Sequence, residues 1–366
     1  MDRREFLART GAAAAVTAAG ASAATSDVPD NRPDILTKDV AAPAPAIAGD
    51  VRHFVVALAS PDGVAGPADQ AHRLAERIAV MSGGRYRLQF TRPRASGVNA
   101  VAGGEAELYF ASESDHLATH RALSFFSGLP GDRGIAAHHF VAWIHVGGGQ
   151  VLWDDLAADF GVKAILAGHG GEGVFVASEA ITDMSELAGR KAAVAGLACE
   201  VARGLGLEPV VPEPDALAER LERGEILAAE IGGAAATCAL GLGHAAPYAT
   251  GASINRHGSA LSLGFKRSIW EKLPASDQAL FAAAAAAETQ LAICEDLSYR
   301  RLLRPRPQLE ATWTITAELE RAIARVADAV VAQVASSDAM SSRIDASYQA
   351  FRRVALGEEA EATAGV

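Results

Sequence analysis

Gly168-His169-Gly170-Gly171-Glu172-Gly173 has the G-x-G-x-x-G spacing of a loop that cradles a dinucleotide pyrophosphate. That chemistry needs the loop to follow a strand and open a helix, so that free backbone N–H groups meet the phosphates. Here Val174-Phe175-Val176-Ala177 follows instead and reads as a strand, so no cofactor is expected. His116 and His120 lie four residues apart, a spacing that would put both on one helix face with Asp115 beside them. No Glu sits between them in the H-E-x-x-H arrangement that activates a zinc-bound water, and no metal is expected. The three cysteines, Cys199, Cys238 and Cys294, form no C-x-x-C pair and read as small buried hydrophobes. Neither a phosphate-binding P-loop nor a G-x-S-x-G nucleophile turn is present.

The first residues read as an address. Arg3-Arg4-Glu5-Phe6-Leu7 precedes a soft apolar run from Gly11 to Ala24, with Ala21-Ser22-Ala23 as a small-residue cleavage site. This pattern predicts a twin-arginine signal peptide over residues 1–24, followed by a Pro/Ala-rich linker over 25–50. The apolar run is too short and too Ala-rich to span a bilayer, so the mature protein is expected to be soluble and periplasmic. About 315 of the 366 residues remain beyond the linker, more than one core usually holds, which favours two lobes. The formal net charge of −11 argues against nucleic acid as a partner.

The glycine loops must be positioned by an alternating α/β frame. Strands are predicted at 53–59, 86–90, 107–111, 163–167, 173–177, 191–195, 225–230 and 261–265, with helices at 66–82, 147–160, 199–205 and 214–223. The chain then turns helical over 275–303 and again over 316–351. An α/β class follows, two-lobed, with mostly parallel sheets and long C-terminal helices bracing the lobes. Residues 51–175 are expected to form lobe 1, completed by part of 257–305. Residues 176–256 form lobe 2, completed by part of 306–360, and 353–366 a flexible tail. In such sheets ligands bind beyond the carboxyl ends of the strands, where Gly147-Gly148-Gly149, Gly168–Gly171 and Gly196 lie.

Several words, in order and spacing, resemble the periplasmic substrate-binding proteins of TRAP transporters, of the type that binds 2-oxo acids and related carboxylates. They include Phe126-Ser127-Gly128-Leu129-Pro130, Gly147-Gly148-Gly149-Gln150-Val151-Leu152-Trp153, Trp270-Glu271-Lys272-Leu273-Pro274 and Ser347-Tyr348-Gln349-Ala350-Phe351-Arg352. The resemblance runs from about Val55 to Arg352. It implies a type II-like binding fold that closes on a small solute, a carboxylate by family resemblance, and delivers it to TRAP membrane subunits. A homodimer is also possible under this reading.

The binding residues depart from the family. Its carboxylate-clamping Arg falls on Ala193, and its metal-linked Glu-Trp becomes Glu230-Ile231. An acidic ligand becomes Arg256 in Asn255-Arg256-His257-Gly258, and a family Gln falls near Glu172. With Gly196 and Ser112, these are the residues expected around the ligand. Arg256 is expected to take the place of the metal and pair with Glu230. Two other functions were weighed against a receptor: an exported enzyme, and a ligand sensor with a diverged site.

Overall fold

Among the described residues, ten strands sort into two sheets of five. The computed structural model describes residues 51–58, 66–250, 252–303 and 316–357. The signal peptide and linker expected over residues 1–50 therefore lie outside the described residues. The first sheet contains β1 (Arg52–Leu58), β2 (Tyr86–Thr91), β3 (Leu108–Ser112), β4 (Val162–His169) and β10 (Ala260–Lys266), in the order β2-β1-β3-β10-β4. The second contains β5 (Phe175–Ala177), β6 (Lys191–Ala193), β7 (Glu208–Val210), β8 (Ala228–Ala229) and β9 (Tyr248–Thr250), in the order β7-β6-β8-β5-β9.

Each sheet has a parallel half. β1 pairs parallel with β2 and β3, and β6 pairs parallel with β7 and β8. The chain crosses between sheets twice, from β4 to β5 and from β9 to β10. The strands that arrive by these crossings run against their neighbours: β5 is antiparallel to β8 and β9, and β10 to β3 and β4. The sequence periodicity located nearly every strand but not these directions, because an alternating or apolar run carries no information about its partner.

The first sheet is buried on both faces. Phe54, Phe110, Leu263 and Phe265 pack with Leu74 of the helix Pro67–Met81 and Phe281 of the helix Ala275–Leu303. Burial of one such side chain contributes roughly 1.5–3 kcal/mol. Gly264 of β10 is required by this packing, since a Cβ there would come within 1.9 Å of the Tyr109 ring. On the other side of the sheet, Phe126 stacks between Trp143 and Trp153, and Tyr348 closes the cluster edge-on to Trp143. Tyr348 comes from the helix Ala339–Ala355, which packs on the helices Ala137–His145 and Gly149–Ala158 beside the first sheet.

Several expectations needed adjustment. The helix expected over 316–351 is two helices, Thr316–Ala335 and Ala339–Ala355, because the Asp338 carboxylate caps the second by accepting the Ser341 N–H at 2.8 Å. Residues 353–355, expected in a flexible tail, lie in that helix, which runs to Ala355, and residues 358–366 lie outside the described residues. The strand expected over 225–230 shrinks to Ala228–Ala229, because the N–H groups of Glu225 and Ile226 still bond to the Arg220 carbonyl at the preceding helix end. His116 and His120 do not share a helix face. His116 ends a short 3-10 turn, Glu113–His116, while His120 caps the next one, Arg121–Phe126. The cysteines form no disulfide with one another; Cys294 is exposed and the other two are partly buried, so they are not core hydrophobes.

Candidate functional site

The two crossings between sheets lie side by side. Gly170 donates its N–H to the Ser259 carbonyl at 2.7 Å, and Gly173 donates to Asn255 at 3.1 Å. Gly258, at φ 72°, sits so close to Gly171 that a Cβ would meet the Gly171 carbonyl oxygen at 1.8 Å. A side chain here would force the crossings apart, so glycine is required by both conformation and space.

Three anchors hold this double crossing. Gln70, in the first turn of the helix Pro67–Met81, donates to the His169 carbonyl at 2.8 Å and accepts the His169 N–H at 3.1 Å. Asp296 of the helix Ala275–Leu303 accepts the Glu172 N–H at 3.2 Å and pairs with Arg300 at 3.0 Å, while Arg300 also pairs with Glu172. Glu230, just past β8, accepts from Ile254 N–H at 2.8 Å, Asn255 N–H at 2.6 Å and the Ser253 hydroxyl at 2.9 Å. Glu230 is buried, which pushes its carboxyl up, while these hydrogen bonds to the ionised form pull it down.

Beside the crossings, between the carboxyl ends of the two sheets, lies a cavity of about 250 Å³. One wall is the end of β3 and the turn after it: Phe110, Ser112, Ser114 and Asp115. The other is Leu197, Pro212, Glu230, Ile231 and Leu240, with Asn255 and Ser259 of the crossing between them. The position agrees with the rule that open α/β sheets bind ligands beyond their strand ends.

A buried network fixes the Ser112 wall. Glu113 is fully buried and accepts from the Tyr109 hydroxyl at 2.7 Å and the Ser262 hydroxyl at 2.6 Å, with His116 Nδ1 at 3.2 Å. Ser112 in turn shares hydroxyl hydrogen bonds with Ser114 at 2.8 Å and Ser127 at 2.7 Å. Asp115 is exposed, bordering both this cavity and the outer groove, although protein encloses much of its carboxyl. That enclosure pushes its carboxyl up, His116 opposes the shift and Glu113 adds to it.

The expected site residues divide. Ser112, Glu230, Ile231 and Asn255 line the cavity. Ala193 is fully buried in the core of the second sheet, packed with Val176, Leu217 and Ile226, and its carbonyl accepts the Glu230 N–H at 2.9 Å. Gly196, at φ 63°, borders an outer groove where a Cβ would come within 2.9 Å of Ser114. Glu172 stands behind the crossing with Arg300. The expected pairing of Arg256 with Glu230 is not made. Arg256 points to the outer face, where it is 44% exposed and pairs with Glu320 at 2.9 Å and Asp132 at 3.5 Å. The backbone N–H groups of Ile254 and Asn255 and the Ser253 hydroxyl, not the Arg256 guanidinium, satisfy Glu230.

Ser114, Asp115, Leu197, Pro212 and Leu240 were missed. Their signal was positional: each lies in a turn or helix start just beyond a strand, or in a short helix whose hydrophobic pattern reads as core.

No protein-family model matches the chain. It is 28% identical over 295 residues to the monocarboxylate 2-oxoacid-binding periplasmic protein of Nostoc sp. (strain PCC 7120), covering 77% of this chain and 79% of that protein. Its structure is similar to a TRAP-transporter solute-binding protein of Bordetella bronchiseptica with copurified calcium and picolinate. That likeness has a TM-score of 0.77 at 21% identity, covering 84% of this chain and 94% of the other. A TRAP periplasmic solute-binding protein of Colwellia psychrerythraea, with bound calcium and pyruvate, gives 0.76 at 20% identity, covering 84% and 96%. The chain has the two-lobed α/β fold of the TRAP periplasmic solute-binding proteins.

Calcium takes six to eight oxygen ligands, several of them carboxylate. The residues at Glu230 do not fit such an ion. Both of its oxygens already accept from N–H or O–H donors, and no group of three His, Cys, Asp or Glu side chains gathers anywhere among the described residues.

Proposed function

We propose that this protein is a periplasmic receptor that captures a small organic solute between its two lobes and hands it to the membrane subunits of a TRAP-type transporter. The observation that carries the reading is the cavity between the sheet ends, with walls from both sheets and a floor made by the paired crossings. Segments crossing between two lobes are where a hinge bends, and Glu230 and Asp296 are placed to set its rest position. The twin-arginine pattern at the N-terminus supports export in a folded state. Lobe 1 would comprise the first sheet and its helices, and lobe 2 the second sheet.

A receptor binds and releases its solute unchanged. Mature protein incubated with a pool of small metabolites should gain thermal stability, and the solute recovered after denaturation should be chemically intact. Saturation at a hundred times the dissociation constant would add about 2.7 kcal/mol. Conversion of the recovered solute would favour an exported enzyme instead.

A further inference from the structure

The charges around the cavity do not suit the ligand that the sequence resemblance implies. Among the described residues that line it there is no Lys, Arg or His, and two carboxylates, Asp115 and Glu230, face in. The nearest cations are spent elsewhere. Arg300 holds Glu172 and Asp296, Arg121 pairs with Glu200 at 2.7 Å, and Arg256 pairs with Glu320 on the outer face. Arg203 and Asp115 both border the open outer groove, with no ion pair between them among the described residues.

The two carboxylates are not equivalent. Both oxygens of Glu230 are occupied by three neutral donors, whereas no Lys, Arg or His forms an ion pair with Asp115 among the described residues, and His116 is turned to Glu113. Asp115 is exposed and also borders the outer groove; a solute that covered its carboxylate would take water from it and leave a backbone hydrogen bond at Ser112 but no counter-ion. An anionic solute would worsen this and a neutral one would leave it. A cationic solute resolves it.

We propose that the cleft binds a small solute that carries an ammonium group and no carboxylate, with Asp115 as its counter-ion. Ser112, Ser114 and Asn255 supply hydrogen bonds to the solute's polar groups, and Phe110, Leu197 and Leu240 hold its carbon skeleton. This inference rests on the receptor reading above and names the solute class for the same site. Ala193 is part of the same change: where the family places a guanidinium, this chain has a methyl group inside the core of the second sheet.

The test uses solutes that share one skeleton and differ in charge. 1-Amino-2-propanol, propane-1,2-diol and lactate form one such set; 6-aminohexan-1-ol, hexane-1,6-diol and 6-hydroxyhexanoate form a longer one. Calorimetric titration of the mature protein should show binding by an amine, with its diol and carboxylate counterparts at least tenfold weaker. Asp115→Asn should weaken the amine tenfold or more, and Asp115→Glu should retain part of the affinity, with the unliganded melting temperature unchanged in both. Binding by lactate, by 6-hydroxyhexanoate or by a diol in preference to the amines would overturn the ammonium assignment and leave the receptor reading standing. Amine binding that Asp115→Asn leaves intact would overturn the role of Asp115. If none of the six binds and a broad metabolite pool also leaves the melting temperature unmoved, both the solute class and the receptor reading fail together.

Discussion

The carboxylate of Glu230 accepts the backbone N–H of Asn255 at 2.6 Å, and so ties the end of β8 in the second sheet to the segment that carries the chain back to the first. The neighbouring N–H of Ile254 and the Ser253 hydroxyl complete the grip. One buried acid thus orders three consecutive residues of the crossing. Both oxygens of Glu230 are thereby occupied, in a site that does not fit a metal ion.

Removing that grip should be costly. Glu230→Ala leaves two backbone N–H groups without their acceptor in a buried place, at about 1–3 kcal/mol each. Urea unfolding of the variant should show a loss of several kcal/mol, whereas Glu230→Gln, which keeps one carbonyl oxygen, should lose less.

Arg256→Ala should change little. Its guanidinium is 44% exposed and its partners Asp132 and Glu320 are surface acids, a class of pair worth at most about 1 kcal/mol. Calorimetry should show solute affinity within a factor of two of the wild type.

Much of the frame was legible because strand and helix periodicities are local. Phe54-Val55-Val56 and Leu261–Phe265 announce buried strands by their own composition. The site was legible only in part. Ser112, Glu230, Ile231 and Asn255 were found through resemblance and do line the cavity. The partner of Arg256 could not be found that way, because it depends on where the helix Thr316–Ala335 packs, about sixty residues on. Asp115 was noted beside two histidines in a metal reading. Its place in the cavity wall follows from the 3-10 turn after β3, which single-residue spacing does not reveal.

His169 gives the protein a defined acid sensitivity. Burial lowers its imidazole from 6.5 to about 4, and Arg300 adds to the shift. Between these values the unfolded chain binds a proton that the folded one refuses, so stability is full above about pH 6.5 and declines as pH falls toward 4. A wild-type curve of unfolding free energy against pH should show this decline, and His169→Gln should flatten that part of it.

Asp338 acts lower on the pH scale. Its hydrogen bonds from Ser341 hold its carboxyl at about 2, below the usual 3.8. The folded state is therefore favoured above about pH 4, and this contribution is lost as pH falls through 2. Asp338→Asn keeps a capping oxygen but not the charge, so it should remove that dependence and lower the melting temperature at pH 7 modestly.

The Arg121–Glu200 pair joins the turn Arg121–Phe126 beside the first sheet to the helix Ala198–Gly204 beside the second. If the lobes open to admit solute, this contact must part. Glu200→Gln should weaken solute binding two- to fivefold, through faster release in stopped-flow measurements, and raising salt should narrow the difference.

The account stands most directly on where the solute sits. Backbone amide chemical shifts of the mature protein should be recorded by NMR with and without a bound solute. The account predicts large changes on both walls at once, at Ser114 and Asp115 on one side and Leu197, Ile231 and Gly232 on the other, with none around Arg256 and Glu320. Changes confined to one wall, or centred on the Arg256 face, would contradict it.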